Sequence, residues 1–260
     1  MITRRINAFA ESAVPWLLPI TLLTAWLVLA KLNWIPPQVF PAPWDVFRAG
    51  VQLAGSGALL EHLRISAARA GTGFLIGGGI GFLLGLINGV SFTAERLLDT
   101  SLQMIRNVPH LALIPLVILW FGIDEEAKVF LVTLGVFFPV YINTFHGVRT
   151  VDRQLLEMSR MYGLSGWSLF REVIFPGALP SILIGVRYAL GFMWLTLIVA
   201  ETIATTSGIG YLAMNAREFM QTDVVVLAIL LYSLLGKLAD VLARLLERTL
   251  LSWHPNYQSQ

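Results

Sequence analysis

Long runs without a charged residue alternate along the chain with short polar turns. No charge occurs from Ser12 to Ala30. A helix over that run, at ~1.5 Å per residue, is roughly 28 Å long, close to one bilayer core. The run is too long for the apolar part of a typical signal peptide, and Lys31-Leu32-Asn33-Trp34 offers no small-residue cleavage site. It is therefore predicted to be an uncleaved first span. Residues 33–45 carry Pro36, Pro37, Pro41 and Pro43 with Trp34 and Trp44, which predicts an extended interfacial segment with aromatic anchors. Residues 46–64 read as an amphipathic helix near the interface. A second charge-free run covers 70–94, and Glu95, Arg96 and Asp99 form a polar turn after it. Further spans are predicted at about 103–122, 128–147, 181–202 and 223–243. Asp124-Glu125-Glu126 separates the third from the fourth. A basic segment, residues 149–178, separates the fourth from the fifth, and residues 203–222 read as a loop plus a short helix. The pattern is an all-α polytopic membrane protein, a single domain of six transmembrane helices over residues 1–260.

Within the second run Gly73, Gly77, Gly81, Gly85 and Gly89 recur every four residues on one face. Such a face lets another helix approach closely, within the subunit or at a seam between copies. The run is not a phosphate loop, since no Lys-Ser or Lys-Thr follows it. Arginines set the orientation. Arg4, Arg5, Arg96, Arg149, Arg153, Arg160, Arg171, Arg244 and Arg248 fall on one side. Lys31, Arg48, Arg64, Arg69, Lys128 and Arg217 fall on the other. The positive-inside rule then places both termini and the 149–178 segment in the cytoplasm.

Composition agrees with the pattern. The 260 residues are 56% hydrophobic and 13% charged, with mean hydropathy +0.72, against about 25% charged residues in a soluble domain. The net charge of +2 gives no reason to expect nucleic acid as a partner. There are no cysteines, and His62, His110, His146 and His254 show no metal-ligand spacing, so no metal or cofactor is expected. Gly236-Lys237 is followed by Leu238, not by Ser or Thr, so no Walker A sequence is present. No nucleophile–base pair suggests an enzyme. Glu201 stands nearly alone as an intramembrane carboxylate, so no proton relay is visible.

Arg106, Arg187, Glu201, Lys237 and Asp240 lie in or at the ends of spans, where charge faces protein or water. Arg187 and Glu201 are 14 residues apart, ~21 Å along a straight helix, and cannot pair with each other. Lys237 and Asp240 can pair on one helix face. Arg106, His110, Arg187, Thr196, Glu201 and Thr202 are candidates for the path of an anion. The competing reading has the arginines snorkelling to headgroups or pairing with Asp240, His110 packing, and the threonines bonding the preceding turn.

The 149–178 segment carries the clearest motif. Val151, Leu155, Met158 and Tyr162 make one apolar helical stripe. Gly163 fits a left-handed helix terminus, Ser165 can cap a second short helix, and Pro176 and Pro180 are predicted to stop it. Glu157, Gly163 and Pro176 stand at the spacing of the "EAA" loop of binding-protein-dependent ABC importer permeases, which the segment resembles. Met158 and Ser159 stand where that family prefers alanines, and Val173 and Phe175 replace Ile and Leu. Arg106-Asn107-Val108-Pro109-His110 through Trp120-Phe121-Gly122 is similar to the taurine, nitrate and alkanesulfonate branch of the family, most like its aliphatic sulfonate members. So is Ala200-Glu201-Thr202 with Gly208-Ile209-Gly210-Tyr211. The resemblance covers residues 60–250 most clearly.

The resemblance implies a type I importer permease of the bacterial inner membrane. Two copies of the chain would work with a cytoplasmic ABC ATPase dimer and a periplasmic substrate-binding protein. It implies that Glu157, Met158, Ser159, Gly163 and Pro176 couple to the ATPase. The implied cargo is an aliphatic sulfonate, with taurine, nitrate or another small anion as the alternative, moved by alternating access. An ATP-independent transporter or channel, or a structural membrane partner, are the competing classes. The missing proton relay and the coupling loop count against the first of these.

Overall fold

A computed structural model describes residues 2–253 apart from 33, 35, 37 and 204; of residues 2–13, 15 and 16 it describes the backbone only. Asn33, Pro37 and His254 therefore lie outside the described residues. Every element described is helical: α1 (Ile2–Lys31), α2 (Pro43–Gly55), α3 (Ala58–Val90), α4 (Phe92–Arg106), α5 (Ile114–Phe121), α6 (Glu125–Arg149), α7 (Arg153–Met161), α8 (Gly166–Leu169), α9 (Phe175–Ile203), α10 (Ile209–Glu218) and α11 (Thr222–Leu250). A 3₁₀ turn, His110–Leu113, precedes α5, and a π turn, Phe170–Ile174, joins α8 to α9.

Four of the described helical stretches are long and apolar enough to cross a membrane: α3, α6, the continuous Gly166–Ile203 stretch and α11. A fifth exists if α4 and the His110–Phe121 stretch count together, but these meet at 78°. The continuous third span predicted for 103–122 is thus broken. Asn107 caps α4, Pro109 cannot extend it, and the chain restarts in a new direction with Pro115 in the first turn of α5. Residues 95–99, predicted as a turn, lie within α4, whose first turn is capped by the Ser91 hydroxyl accepting from the Ala94 N–H at 3.2 Å. The helix predicted over 46–64 is also two pieces. Gly57, at φ +80°, ends α2, and α3 carries the second span back to Ala58. Within α1, Leu17–Lys31 is a shorter apolar stretch.

The chain forms two compact units. The first comprises Met1–Glu61 with Leu212–Leu230. In it Trp26 donates its indole N–H to the Pro41 carbonyl at 2.9 Å and packs on Phe40, which ties the proline-rich stretch to α1. Ala49 of α2 packs with Leu212, Ala216 and Val224.

The second unit, His62–Tyr211 with Leu231–Gln260, is built around α6. The glycine ladder of α3 lies against one side of α6. A Cβ on Gly77 would stand 2.3 Å from the Thr133 carbonyl oxygen, and one on Gly81 2.5 Å from that of Phe137. The two backbones approach as closely as glycine permits. The other side of α6 receives α9, with Gly147 against Ala178 and Ser181, and Gly185 against Asn143 and Pro139. Val117 of α5, with Ile114, packs on Ala127, Leu131 and Ala200. Small residues on both flanks of α6 fix the helix axes, and with them the side chains described next.

Candidate functional site

The polar segment after α6 is a helix with a defined stop. The Asp152 carboxylate accepts the Gln154 N–H at 2.8 Å and starts α7. At the other end the Leu164 N–H reaches the Ser159 carbonyl at 3.1 Å and the Gly163 N–H reaches that of Arg160 at 2.9 Å. This is the Schellman pattern, and Gly163 takes its left-handed position at φ +86°. Ser165 is the N-cap of α8, its own N–H bonded to Ser168 Oγ at 3.2 Å. The predicted stop at Pro176 does not occur, and α8 continues through the π turn into α9. Pro176 lies in the first turn after that turn, and Pro180 is accommodated inside the span.

The predicted stripe divides. Val151 is buried and faces Gly177. Leu155 and Met158 are exposed, as are Met161, Tyr162 and Trp167, the last three by 89, 81 and 72%. Glu157 and Gly163 are exposed too. Ser159, in a position where relatives of this motif prefer alanine, is buried with its hydroxyl on the Leu155 carbonyl at 2.7 Å. Phe175 sits edge-on to Phe82 and packs with Phe170. The segment is thus a rigid helix–turn–helix presenting an apolar, unburied surface.

A second constellation surrounds Glu201, which is 1% exposed. Its carboxylate accepts from Ser66 Oγ at 2.7 Å, Arg69 Nη1 at 2.8 Å, the Gly210 N–H at 2.9 Å and Tyr232 OH at 3.0 Å. Arg69, 3% exposed, also donates to both Glu125 oxygens at 2.5 Å and to the Ser207 carbonyl at 2.7 Å. The Gly208 N–H donates to His62 Nδ1 and the Ile209 N–H to Ser66 Oγ. Gly208, at φ +107°, passes so near that a Cβ would stand 2.4 Å from Glu201 Oε1. The loop before α10 is therefore clamped onto a saturated, charge-paired carboxylate. Glu201 is not the isolated carboxylate its span alone predicts. Its partner Arg69 lies 132 residues away. The available signal was a pair of opposite charges near the ends of two spans.

The remaining path candidates are dispersed. His110 Nε2 and Thr196 Oγ1 are 3.0 Å apart, against Gly135. The Thr202 hydroxyl bonds the Val199 carbonyl at 2.9 Å, the local use of threonine in a helix. Arg106 is exposed at the end of α4. Arg187 bonds Asp240 Oδ1 through Nε at 2.9 Å, and Asp240 Oδ2 also receives Arg244 at 3.0 Å and Lys237 at 3.6 Å. Arg187 lines a cleft of about 690 Å³ together with Ile184, Tyr188, Gly191, Phe192, Leu195, Gly236 and Asp240. Among the described residues no group of three or more His, Asp or Glu is placed to hold a metal ion.

Residues 77–252 match the family model described as the inner membrane component of binding-protein-dependent transport systems. The chain is 64% identical over 243 residues to the putative aliphatic sulfonates transport permease protein SsuC of Escherichia coli K12, covering 94% of this chain and 92% of that one. It is 47% identical to the protein of the same name in Bacillus subtilis 168, over 93% and 88% of the two chains. It is 36% identical to the taurine transport system permease protein TauC of E. coli K12, over 91% and 88%. Among solved structures, a chain of the inward-facing MetNI methionine ABC transporter shares the fold, with TM-score 0.52 at 18% identity over 79% of this chain and 97% of that one.

Proposed function

The chain belongs to the inner membrane component family of binding-protein-dependent transport systems, and from that membership we propose that it is the permease through which an ATP-driven importer carries aliphatic sulfonates inward. The observation that carries the cargo is the 64% identity along nearly the whole chain to a permease named for aliphatic sulfonates. The lower identity to a taurine permease makes taurine or another small anion the alternative cargo.

ATP is hydrolysed on a separate subunit, an ABC ATPase dimer at the cytoplasmic face, and a periplasmic binding protein delivers the anion. Two copies of the chain enclose the path, since one set of spans with packed glycine faces encloses little polar space. The excess of arginines on one side supports both termini and α7–α8 lying inside. The exposed Leu155, Met158, Met161, Tyr162 and Trp167 then form the surface that enters the ATPase. Glu157 lies at its rim, and Gly163, Ser159 and Pro176 hold its shape. When the ATPase pair closes on ATP, α7 moves with it. The unbroken α8–α9 helix carries that motion into the membrane, and the path opens outward to the binding protein. Of the six path candidates Arg187 is the one assigned to the path, because it alone lines the cleft between α9 and α11. Glu201 belongs to the clamp.

The test is growth on an alkanesulfonate, taurine or sulfate as sole sulfur source, in a strain lacking this chain and in one with it restored. Loss on the alkanesulfonate alone, with rescue, is the expected result. Normal growth of the deletion strain on alkanesulfonate would remove the sulfonate assignment, and selective loss on taurine would establish the alternative.

A further inference from the structure

Gly185 of α9 is fixed by packing, since a Cβ there would meet Asn143 Cβ at 2.6 Å. Gly191, farther along the same helix, and Gly236 of α11 are not. A Cβ on either finds nothing within 4 Å. Glycine inside a helix is destabilising by about 1 kcal/mol relative to alanine, and at these two positions no contact within the subunit offsets that loss. Both line the same cleft. Within the subunit the space beside them is open.

The cleft has the chemistry of an amphiphilic anion. Its long wall is apolar: Ile184, Tyr188, Phe192 and Leu195 are all between 41 and 62% exposed. Ile184 and Leu195 are eleven residues apart, ~16 Å along the helix. One end is cationic. Arg187, Lys237 and Arg244 converge on the single carboxylate of Asp240. A second carboxylate, Glu247, makes a longer ion pair with Arg187 Nη1 at 3.8 Å. Three cations against two carboxylates leave this charge group with a positive surplus, and of its members Arg187 and Asp240 line the cleft. A volume of about 690 Å³ lies within the roughly 300–1,000 Å³ of small-molecule sites and is small for a two-chain phospholipid.

Resting on the sulfonate reading above, we infer that the α9–α11 cleft takes the transported sulfonate, its head at the Arg187 end and its tail along Phe192 and Leu195. Gly191 and Gly236 set the length of tail that passes. The pair is a specificity filter inside the permease, separate from whatever selection the binding protein makes.

Gly191→Leu and Gly236→Leu, with the milder Gly191→Ala and Gly236→Ala, are introduced into the complete importer. Uptake of ethanesulfonate and of the longest alkanesulfonate the wild-type complex carries is measured per unit of permease in the membrane. The expected result is a long-to-short uptake ratio about tenfold lower in the leucine variants, the low end for one misfitting methylene in a fitted pocket, with the alanine variants intermediate. An unchanged ratio overturns the inference. So does an unchanged ratio with loss of the dimer, which would make the cleft a seam between copies. The same holds for an unchanged ratio with loss of co-purifying anionic phospholipid, which would make the cleft a lipid groove. A wild-type complex that carries neither sulfonate refutes the functional reading itself, and the inference with it.

Discussion

Removing the Arg69 guanidinium would leave the Glu201 carboxylate buried among Ser66, Tyr232 and the Gly210 N–H with no countercharge. Stranding one member of a buried pair costs about 3–5 kcal/mol. Arg69→Ala is therefore expected to lower the thermal unfolding temperature in detergent far more than Glu201→Gln, which keeps the shape and leaves Arg69 its bonds to Glu125. Equal shifts would mean that the charge of Glu201 is immaterial. The glycines of α3 offer a second contrast. Gly77→Ala forces a methyl to within 2.3 Å of the Thr133 carbonyl, whereas Gly79 has nothing within 4 Å. The first is expected to reduce the folded yield sharply. The second should be neutral or stabilising by up to about 1 kcal/mol. The period of four in α3 made its close-packed face readable from sequence. For the Arg69–Glu201 pair the two charges were visible but not their pairing, because nothing local links residues 132 apart. Gly191 and Gly236 stand singly, without a period, so their shared cleft appears only in three dimensions.

At the scale of the element, α7 is short and polar on average, yet four large apolar side chains on it and on α8 are unburied, as is Tyr162 at the α7 C-cap. Its stability comes from its caps, the Asp152 side chain and the Schellman turn at Gly163, more than from packing. Met161→Ser with Tyr162→Ser is expected to leave the permease folded while reducing co-purification of the ATPase. Undiminished co-purification would move the docking surface elsewhere. Gly163→Ala should weaken the turn by about 1–2 kcal/mol, the cost of a Cβ in left-handed backbone, and lower uptake without changing insertion in the membrane. The caps at Gly163 and Ser165 were readable because caps are local chemistry. The break at Pro109 and the continuity through Pro176 were not. A hydropathy run carries no direction, and whether a proline bends or starts a helix depends on the hydrogen bonds its neighbours have already given up.

For the whole molecule, four spans and the polar segment proposed to address the ATPase follow from the sequence pattern, and growth on alternative sulfur sources decides the cargo. What joins the two ends is the stretch Gly166–Ile203, one helix with a π turn at Phe170–Ile174. A π turn holds one residue more than an α turn. Such a turn absorbs its extra residue locally, so deleting one residue there restores an even helix with its two ends in nearly the same phase. Deleting one from the α-helical part instead swings everything before it by about 100° around the α9 axis. The surface proposed to meet the ATPase and the wall proposed to meet the cargo are thus keyed to each other like two cams on one shaft. Their relative angle is set by the number of residues between them, and a permease with every contact intact but that angle wrong would receive the stroke and turn it the wrong way.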